Sequence, residues 1–332
     1  MAEPSTRDDV ADVILADVGG TNARFAVLTA RGLGPVTTLA VHDYPSFADA
    51  VAALAKRHPE CRAIRRAFLA LAGVIDGDHC ALTNSAWIVE RSELCSRFGW
   101  TDVRMINDFE AVAWSLPHLS RDHLHQIGGH EPATGAPMVA LGPGTGLGVA
   151  GCVPDETGDF VLRSEGGHVT VPSGSVREDA VIALLRQRLG HVSAERVVSG
   201  QGLEHLYRAI RTIDAQPAPD RTAPEITRAA VSGECTTSRA ALDLFCALLG
   251  EMAGNFALSF DARGGIFIAG GIARHIVDHL SRSDFRSRFD AKGRMSRYVA
   301  PIPVYLILHD NPAFVGMQAL AERQVRRASE RT

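Results

Sequence analysis

Three glycine turns each follow an apolar run: Gly19-Gly20 with Thr21 and Asn22, Gly144-Thr145-Gly146 inside the glycines from 142 to 148, and Gly270-Gly271. Glycine lets a ligand approach the backbone closely, and N–H groups exposed in such a turn or at a helix start bind phosphate without a cationic side chain. A single turn of this kind serves any hairpin; three together point to a nucleotide. Two common nucleotide signatures fail. Lys56 and Lys292 are the only lysines, and neither stands in GxxxxGK[ST]. Gly146, Gly148 and Gly151 match GxGxxG, but Cys152, Val153 and Pro154 follow where a dinucleotide fold needs the opening of a long helix.

Polar residues scattered along the chain could supply acid, base and hydrogen-bonding chemistry. Asp17 precedes the first turn, Asn107 and Asp108 lie in INDF, Glu165 and His168 bracket EGGH, Glu195 precedes RVVSG, and Asn84 lies in LTNSAW. Each has an ordinary reading as well. A lone glutamate is usually a solvated charge, His168 a local hydrogen-bonding residue, Asp17 a cap, and Asp108 an acceptor at a strand end. Trp87 suits a pocket wall or a core, and Arg24 suits folding or charge balance.

The elements that must position these groups follow from periodicity. Val13–Ala16 reads as a buried strand, joined through the glycine pair to a second strand over Arg24–Leu28, which makes a hairpin. Phe47, Val51 and Leu54 have helix spacing behind Ser46, a good N-cap. RAFLAL, LTNSAWIV and VRMINDF read as further strands, and EAVAWSLPHL as a helix ending before Pro117. The turn-rich stretch from Pro117 to Pro137, with His118, His123, His125 and His130, reads as a solvated border between domains. REDAVIALLRQRL predicts a helix with Ala180, Val181, Leu184 and Leu185 on one side. The next long helix buries Leu242, Phe245, Leu249, Met252 and Phe256. GGIFIAGGIARHIVDHL predicts strand, glycine turn and one helix; VYLIL is a late strand, and a last helix starts near Asn311-Pro312.

The chain has 332 residues, enough for two domains, with 34 basic against 38 acidic side chains. That balance offers no long-range attraction to nucleic acid or to an anionic membrane. The polar first residues lack a signal-peptide pattern, and no run of about 18 apolar residues is free of charge. Six widely spaced cysteines suit neither a zinc site nor a disulfide frame, so the expected setting is a reducing cytoplasm.

The motifs LADVGGTNARFAV, LTNSAW, INDFEAVAWSLP, LGPGTGLGVA, SEGGHVTV, ERVVSGQGLEHLY and GIFIAGGIA occur in this order from residue 15 to 273. In them the chain resembles the bacterial glucokinases, within the hexokinase and actin-like ATPase superfamily. The cysteine-rich zinc motif of the related ROK kinases is absent, which places the resemblance in the non-ROK group.

The resemblance implies an α/β fold of two ribonuclease-H-like (actin-like ATPase) domains with a cleft between them. The small domain would be residues 1–118 with the final helix 311–332, and the large one residues 119–310. The implied reaction is transfer of the ATP γ-phosphoryl group to the 6-hydroxyl of glucose, with Mg²⁺, in a homodimer that binds neither nucleic acid nor membrane. By the same resemblance Asp108 is the catalytic carboxylate, while Asn84, Asn107, Asp108, Glu165, His168 and Glu195 contact the sugar. Asp17 organises Mg²⁺. Gly19, Gly20, Thr21, Asn22, Gly144, Thr145 and Gly146 hold the phosphates, and Gly270 and Gly271 lie toward the adenosine. A kinase for another hexose or hexose derivative keeps the same phosphoryl-transfer residues. A noncatalytic sugar-responsive regulator is disfavoured by Asp108 and by an N-terminus too short for a DNA-binding helix-turn-helix.

Overall fold

Val13 to Val18 reads VILADV, and every one of these side chains except Asp17 is buried, as a strand covered on both faces requires. The computed structural model describes residues 12–155 and 158–329; the polar start at 1–11 lies outside them. The chain forms two compact units, one running to Leu119 and resuming at Asp310, the other Ser120–His309.

In the first unit β1 (Val13–Val18) turns at Gly19-Gly20 into the antiparallel β2 (Asn22–Thr29), which also pairs with β3 (Gly32–Leu33) and β4 (Thr37–Ala40). Helix α1 (Phe47–Arg57) is capped as its sequence predicts, with Ser46 Oγ accepting from the Asp49 N–H at 3.1 Å. Strand β5 (Arg66–Leu71) lies parallel to β1. A separate antiparallel sheet is built from β6 (Gly73–Asp76), β7 (His79–Leu82) and β8 (Ile88–Glu90). Then come α2 (Arg91–Phe98), β9 (Asp102–Asn107) parallel to β5, and α3 (Asp108–Ser115). The main sheet is ordered β3-β2-β1-β5-β9.

Two expectations are corrected in this unit. LTNSAWIV is not one strand: Leu82 ends β7, Thr83 to Trp87 form a turn, and β8 begins at Ile88. The turn is stitched by the Leu82 N–H donating to the Trp87 carbonyl at 3.1 Å, a local closure invisible to apolar periodicity. Helix α3 starts at Asp108, two residues before the expected EAVAW, because Asn107 caps it.

The second unit contains β10 (Leu124–Gly128), β11 (Met138–Pro143), β12 (Leu147–Val153) and β13 (Phe160–Ser164), then α4 (Val176–Leu189), α5 (Gly200–Ile213), α6 (Ala223–Val231) and α7 (Thr236–Ser259). It continues through β14 (Gly265–Ile268), α8 (Gly271–His275), α9 (Val277–Arg282), α10 (Phe285–Asp290), α11 (Ser296–Val299) and β15 (Val304–Ile307). The sheet order is β10-β15-β14-β11-β12-β13. Strands β11, β12 and β13 form an antiparallel meander, and β14 and β15 lie parallel on the other side of β11. The first unit has the same scheme, so the glycine turns at 19–20 and 144–146 occupy equivalent positions in two copies of one topology.

Three further readings change. The stretch 117–137 is more than a connector, since Leu124–Gly128 pairs with β15. On α4 the buried side chains are Val181, Ile182 and Leu185 with Glu178, while Ala180 is exposed. The helix is rotated because Glu178 points inward to Arg288, whose Nη2 is 3.1 Å from Oε2; Arg288 also meets Glu251 at 3.2 Å, and Lys292 Nζ reaches Glu251 at 2.6 Å. The helix expected after Gly271 breaks at Ile276 into α8 and α9.

Helix α7 buries the whole predicted stripe from Leu242 to Phe256. It is long and apolar enough to cross a membrane, but 72% of its most apolar window is buried inside the protein, which makes it a core helix. The last helix, α12 (Pro312–Ser329), returns to the first unit and lies on α3, where Gly316 approaches the Ala111 carbonyl too closely to admit a Cβ.

Candidate active site

In the first unit the parallel strands β1, β5 and β9 end in register, Val18 opposite Leu71 and Leu71 opposite Asn107. Asp17 and Asp108 therefore sit at one sheet edge, separated by two strand spacings, on the order of 10 Å. Strand ends at such an edge, followed by a turn or a helix, are where backbone N–H groups become free to meet a ligand.

Asp17 faces Arg24 across the hairpin, with Nη1 3.4 Å from Oδ2. Burial pushes the Asp17 carboxyl above its usual range, against the opposing pull of the Arg24 charge and hydrogen bond. Arg24, ambiguous in the sequence, is thus the partner of Asp17. The turn itself closes with the Gly19 N–H on the Asn22 carbonyl at 3.0 Å, and the Thr21 carbonyl accepts from the Val41 N–H at 2.9 Å. Thr21 is exposed. Gly20 rests directly on the Asn84 turn, since a Cβ there would lie 2.6 Å from the Asn84 carbonyl oxygen. The phosphate-turn and sugar-side candidates Gly20 and Asn84 therefore adjoin.

Strand β9 passes into α3 without a loop. The Phe109 N–H donates both to Asn107 Oδ1 and to Asp108 Oδ1, each at 2.9 Å. Asn107 thus spends its oxygen on the helix cap, and its Nδ2 reaches the Gly73 carbonyl at 3.4 Å. Asp108 stands on the first turn of α3, where unpaired helix N–H groups favour an anion. Beneath it lies a feature the sequence reading passed over. The buried Cys80 thiol is pushed up to about 11, first by burial and then by the charge of Asp108, so it stays a neutral neighbour of the carboxylate. Trp87 is a core residue: it is 3% exposed, its Nε1–H donates to the Tyr44 carbonyl, and its ring meets Phe47 edge-on.

In the second unit the β11–β12 turn is braced from two directions. The Gly144 carbonyl accepts from the Gly200 N–H at 2.9 Å, and the Leu147 N–H donates to Glu195 Oε2 at 3.0 Å. Ser199 caps α5 by accepting from the Gly202 N–H and donates to the Glu195 carbonyl at 2.7 Å. The sequence reading missed Ser199 and Gly200. Their signal was present in SGQG, a capping serine at the start of a strongly amphipathic helix.

The Gly166–His168 turn joins the same assembly. The Glu195 N–H donates to the Gly167 carbonyl at 2.8 Å, and Gly167 is pressed against the Leu147 carbonyl. Glu165 and His168, both largely exposed, stand 3.8 Å apart at its ends. Gly270 has φ +99°, a conformation that favours glycine, and a Cβ there would meet the Pro143 carbonyl at 2.4 Å. Glu165, His168, Glu195, Gly144–Gly146 and Gly270-Gly271 are thus brought together within this unit, with Thr145 exposed at the tip of its turn.

Lysine plays little part here. Lys292 is buried and held by Glu251, which leaves Lys56, exposed in the last turn of α1. Among the described residues no cluster of three or more His, Cys, Asp or Glu side chains suits a metal ion.

The glucokinase family profile matches residues 14–324. The chain is 44% identical over 311 residues to the glucokinase of Paramagnetospirillum magneticum, covering 93% of this chain and 97% of that one. It is 41% identical to an Escherichia coli O1:K1 glucokinase, covering 92% and 95%. Among solved structures, glucokinase from an Antarctic psychrotroph superposes with a TM-score of 0.82 at 35% identity, covering 93% of this chain and 98% of that one. The fold is the two-domain α/β fold of actin-like ATPases.

Proposed function

Because the chain belongs to the glucokinase family, we propose that Asp108 is the base of its reaction and that the glycine turns of each unit hold the phosphates of its nucleotide. The reaction is the ATP-dependent phosphorylation of glucose, giving glucose 6-phosphate and ADP. The observation that carries the assignment is the position of Asp108, the residue directly after β9 and the first of α3, at the strand edge where Asp17 and the first glycine turn also stand.

Asp108 takes the proton of the 6-hydroxyl as that oxygen forms its bond to the γ-phosphorus and the bond to the β,γ-bridging oxygen of ATP breaks. Its second role is to orient the hydroxyl, which a carboxylate fixed by the Phe109 N–H can do without rearrangement. Asn84, Asn107, Glu165, His168 and Glu195 supply hydrogen bonds to sugar hydroxyls. For Asn107 the second Nδ2 hydrogen is the available donor, since its oxygen caps α3 and its Nδ2 already reaches the Gly73 carbonyl. Gly20, Thr21 and Asn22, and Thr145 and Gly146, offer N–H and hydroxyl donors to phosphate oxygens, with Gly19 and Gly144 closing the two turns through their own N–H groups, while Gly270 and Gly271 allow the nucleoside close to the backbone.

The donor set at Asp17 fits Mg²⁺, a hard cation that takes oxygen ligands and commonly keeps waters and phosphate oxygens beside one or two carboxylates. A carboxylate that burial keeps short of compensating charge is a site a cation relieves. When bound, the ion neutralises phosphate charge; Asp17 would hold it, with Arg24 fixing the carboxylate. We place the enzyme in the cytoplasm, a reading supported by six free cysteines, and as a homodimer.

The test is an ATP- and Mg²⁺-dependent panel of sugars with product identification. Glucose 6-phosphate as the main product is expected. Preference for mannose or an N-acetyl sugar would overturn the substrate, and undiminished turnover in Asp108→Ala would overturn the base.

A further inference from the structure

Of the six cysteines, Cys61, Cys80, Cys152 and Cys246 are buried, and Cys95 and Cys235 are partly exposed. The two exposed ones stand at opposite ends of their helices. Cys95 lies in the last turn of α2, where the Gly99 N–H closes on its carbonyl and the helix dipole opposes a negative sulfur. Cys235 is the N-cap of α7, the longest helix among the described residues, and its Sγ accepts from the Ser238 N–H at 3.4 Å. Two donors that the fold leaves unused meet at that sulfur. The Ser238 side chain is 0% exposed, and its Oγ finds no other hydrogen-bond partner while acting on Cys235. Arg221, just before α6, has a buried Nε without a hydrogen-bond partner and brings its charge to the same sulfur. Buried donors without an acceptor are costly, and a neutral thiol is a weak acceptor, so it is the thiolate that this arrangement suits.

We propose that Cys235 is a modification site, a reactive sulfur that takes up peroxides and other soft electrophiles ahead of every other cysteine of this chain. The electrostatics agree with the geometry. Burial works to raise the Cys235 thiol, but the Ser238 hydroxyl, the Ser238 N–H, the Arg221 charge and the Thr237 N–H together outweigh it and hold the thiol below its usual range. Burial instead pushes Cys61 up, Cys80 to about 11 and Cys246 to about 12. Of the other ionisable groups nearby, Glu234 is paired with Arg221 at 3.6 Å and is 59% exposed, Tyr207 of α5 hydrogen-bonds Arg221, and Arg239 of α7 is held by Asp243 at 3.4 Å. With a peroxide the thiolate attacks one oxygen: an S–O bond forms, the O–O bond breaks, and the second oxygen leaves as hydroxide, which takes a proton from solvent. The sulfur, oxidised by two electrons, becomes a sulfenic acid as the peroxide is reduced to water.

The test follows alkylation of each cysteine by iodoacetamide on the folded full chain from pH 5 to 9, read by peptide mass spectrometry. At pH 7 Cys235 is expected to react at least about tenfold faster than Cys95, and to hold its rate to lower pH. Arg221→Gln should slow Cys235 about threefold or more and move its pH profile upward, with Cys95 unchanged, and Arg221→Lys, which keeps the charge, should restore most of the rate. Ser238→Ala removes one buried donor with little change of shape and should shift the profile in the same direction, so it carries the comparison if the Arg221 variants do not fold. After hydrogen peroxide, dimedone should trap sulfenic acid at Cys235. Equal rates for Cys235 and Cys95, a profile indifferent to these variants, or dimedone carried mainly by another cysteine overturns the proposal.

Discussion

The backbone N–H of Leu147 donates to Oε2 of Glu195 at 3.0 Å, and the same carboxylate oxygen lies 2.4 Å from where a Cβ on Gly146 would stand. A side chain assigned to the sugar thus also fixes the turn assigned to the phosphates. Glu195→Ala should therefore damage glucose and ATP use together. Loss of a charge-assisted hydrogen bond is worth about 1.5–3 kcal/mol, or roughly 10- to 100-fold in kcat/KM. Steady-state kinetics with each substrate varied in turn will show it; a change confined to the KM for glucose would contradict the coupling. Gly146→Ala should mimic the defect, because it displaces the carboxylate.

Asp108→Asn should lower kcat by about 10²- to 10⁴-fold, the usual worth of a positioned base. The KM for ATP should hardly move. Thermal stability should be kept, since Asn107 still caps α3 through the Phe109 N–H. A coupled assay beside a melting curve separates loss of chemistry from loss of fold.

Asp17→Asn should melt higher than the wild type at neutral pH without nucleotide, while losing activity. Burial holds the Asp17 carboxyl above its usual range, so folding favours the protonated form. Whatever stability that form contributes is present below the unfolded value of about 3.9 and is lost as pH rises through the folded value. Asparagine keeps the neutral state at every pH, and Arg24, 39% exposed, is left with water as a partner. Equal or lower melting temperatures for the variant from pH 6 to 8 would contradict this.

Glu178 gives the opposite pH dependence. Burial raises its carboxyl, but the hydrogen bonds from Arg288 and the Gly174 N–H, with the charge of Arg288, outweigh burial and hold it below the usual range. That stabilisation is present above the unfolded value near 4.3 and disappears as pH falls through the lowered folded value. Glu178→Ala should cost about 3 kcal/mol at pH 7, as breaking a buried pair does, and should flatten the acid limb of a stability profile below pH 4.5. Urea unfolding at a series of pH values measures both.

The legible part of this molecule was the backbone. Apolar runs closed by glycine gave β1, β2, β11, β12 and β14, because a buried strand and a tight turn leave marks within a few residues of each other. The motifs also carry the residues proposed above to meet the ligands, from Asp17 to Gly271. What escaped was pairing at a distance. Nothing near Arg24 says that it faces Asp17, nothing near Glu178 announces Arg288 at the other end of the unit, and the Glu195 contact with Leu147 spans residues that share no local pattern. The rotation of α4 was misread for that reason: a charge that turns inward looks, in sequence, like one that turns outward. The Asn84 turn was misread as strand because its closing bond is made by backbone atoms, which every residue carries.

The return of α12 to α3 sets the order in which this protein is made. The ribosome releases the first 119 residues long before the helix that covers Ala111, and the whole second unit is synthesised in between, a delay of roughly 10–40 s at bacterial-like elongation rates. For that interval the nascent first unit presents the bare side of α3 to the cell. A fragment ending at Leu119 should accordingly aggregate when expressed alone and recover solubility when residues 310–332 are supplied as a separate peptide.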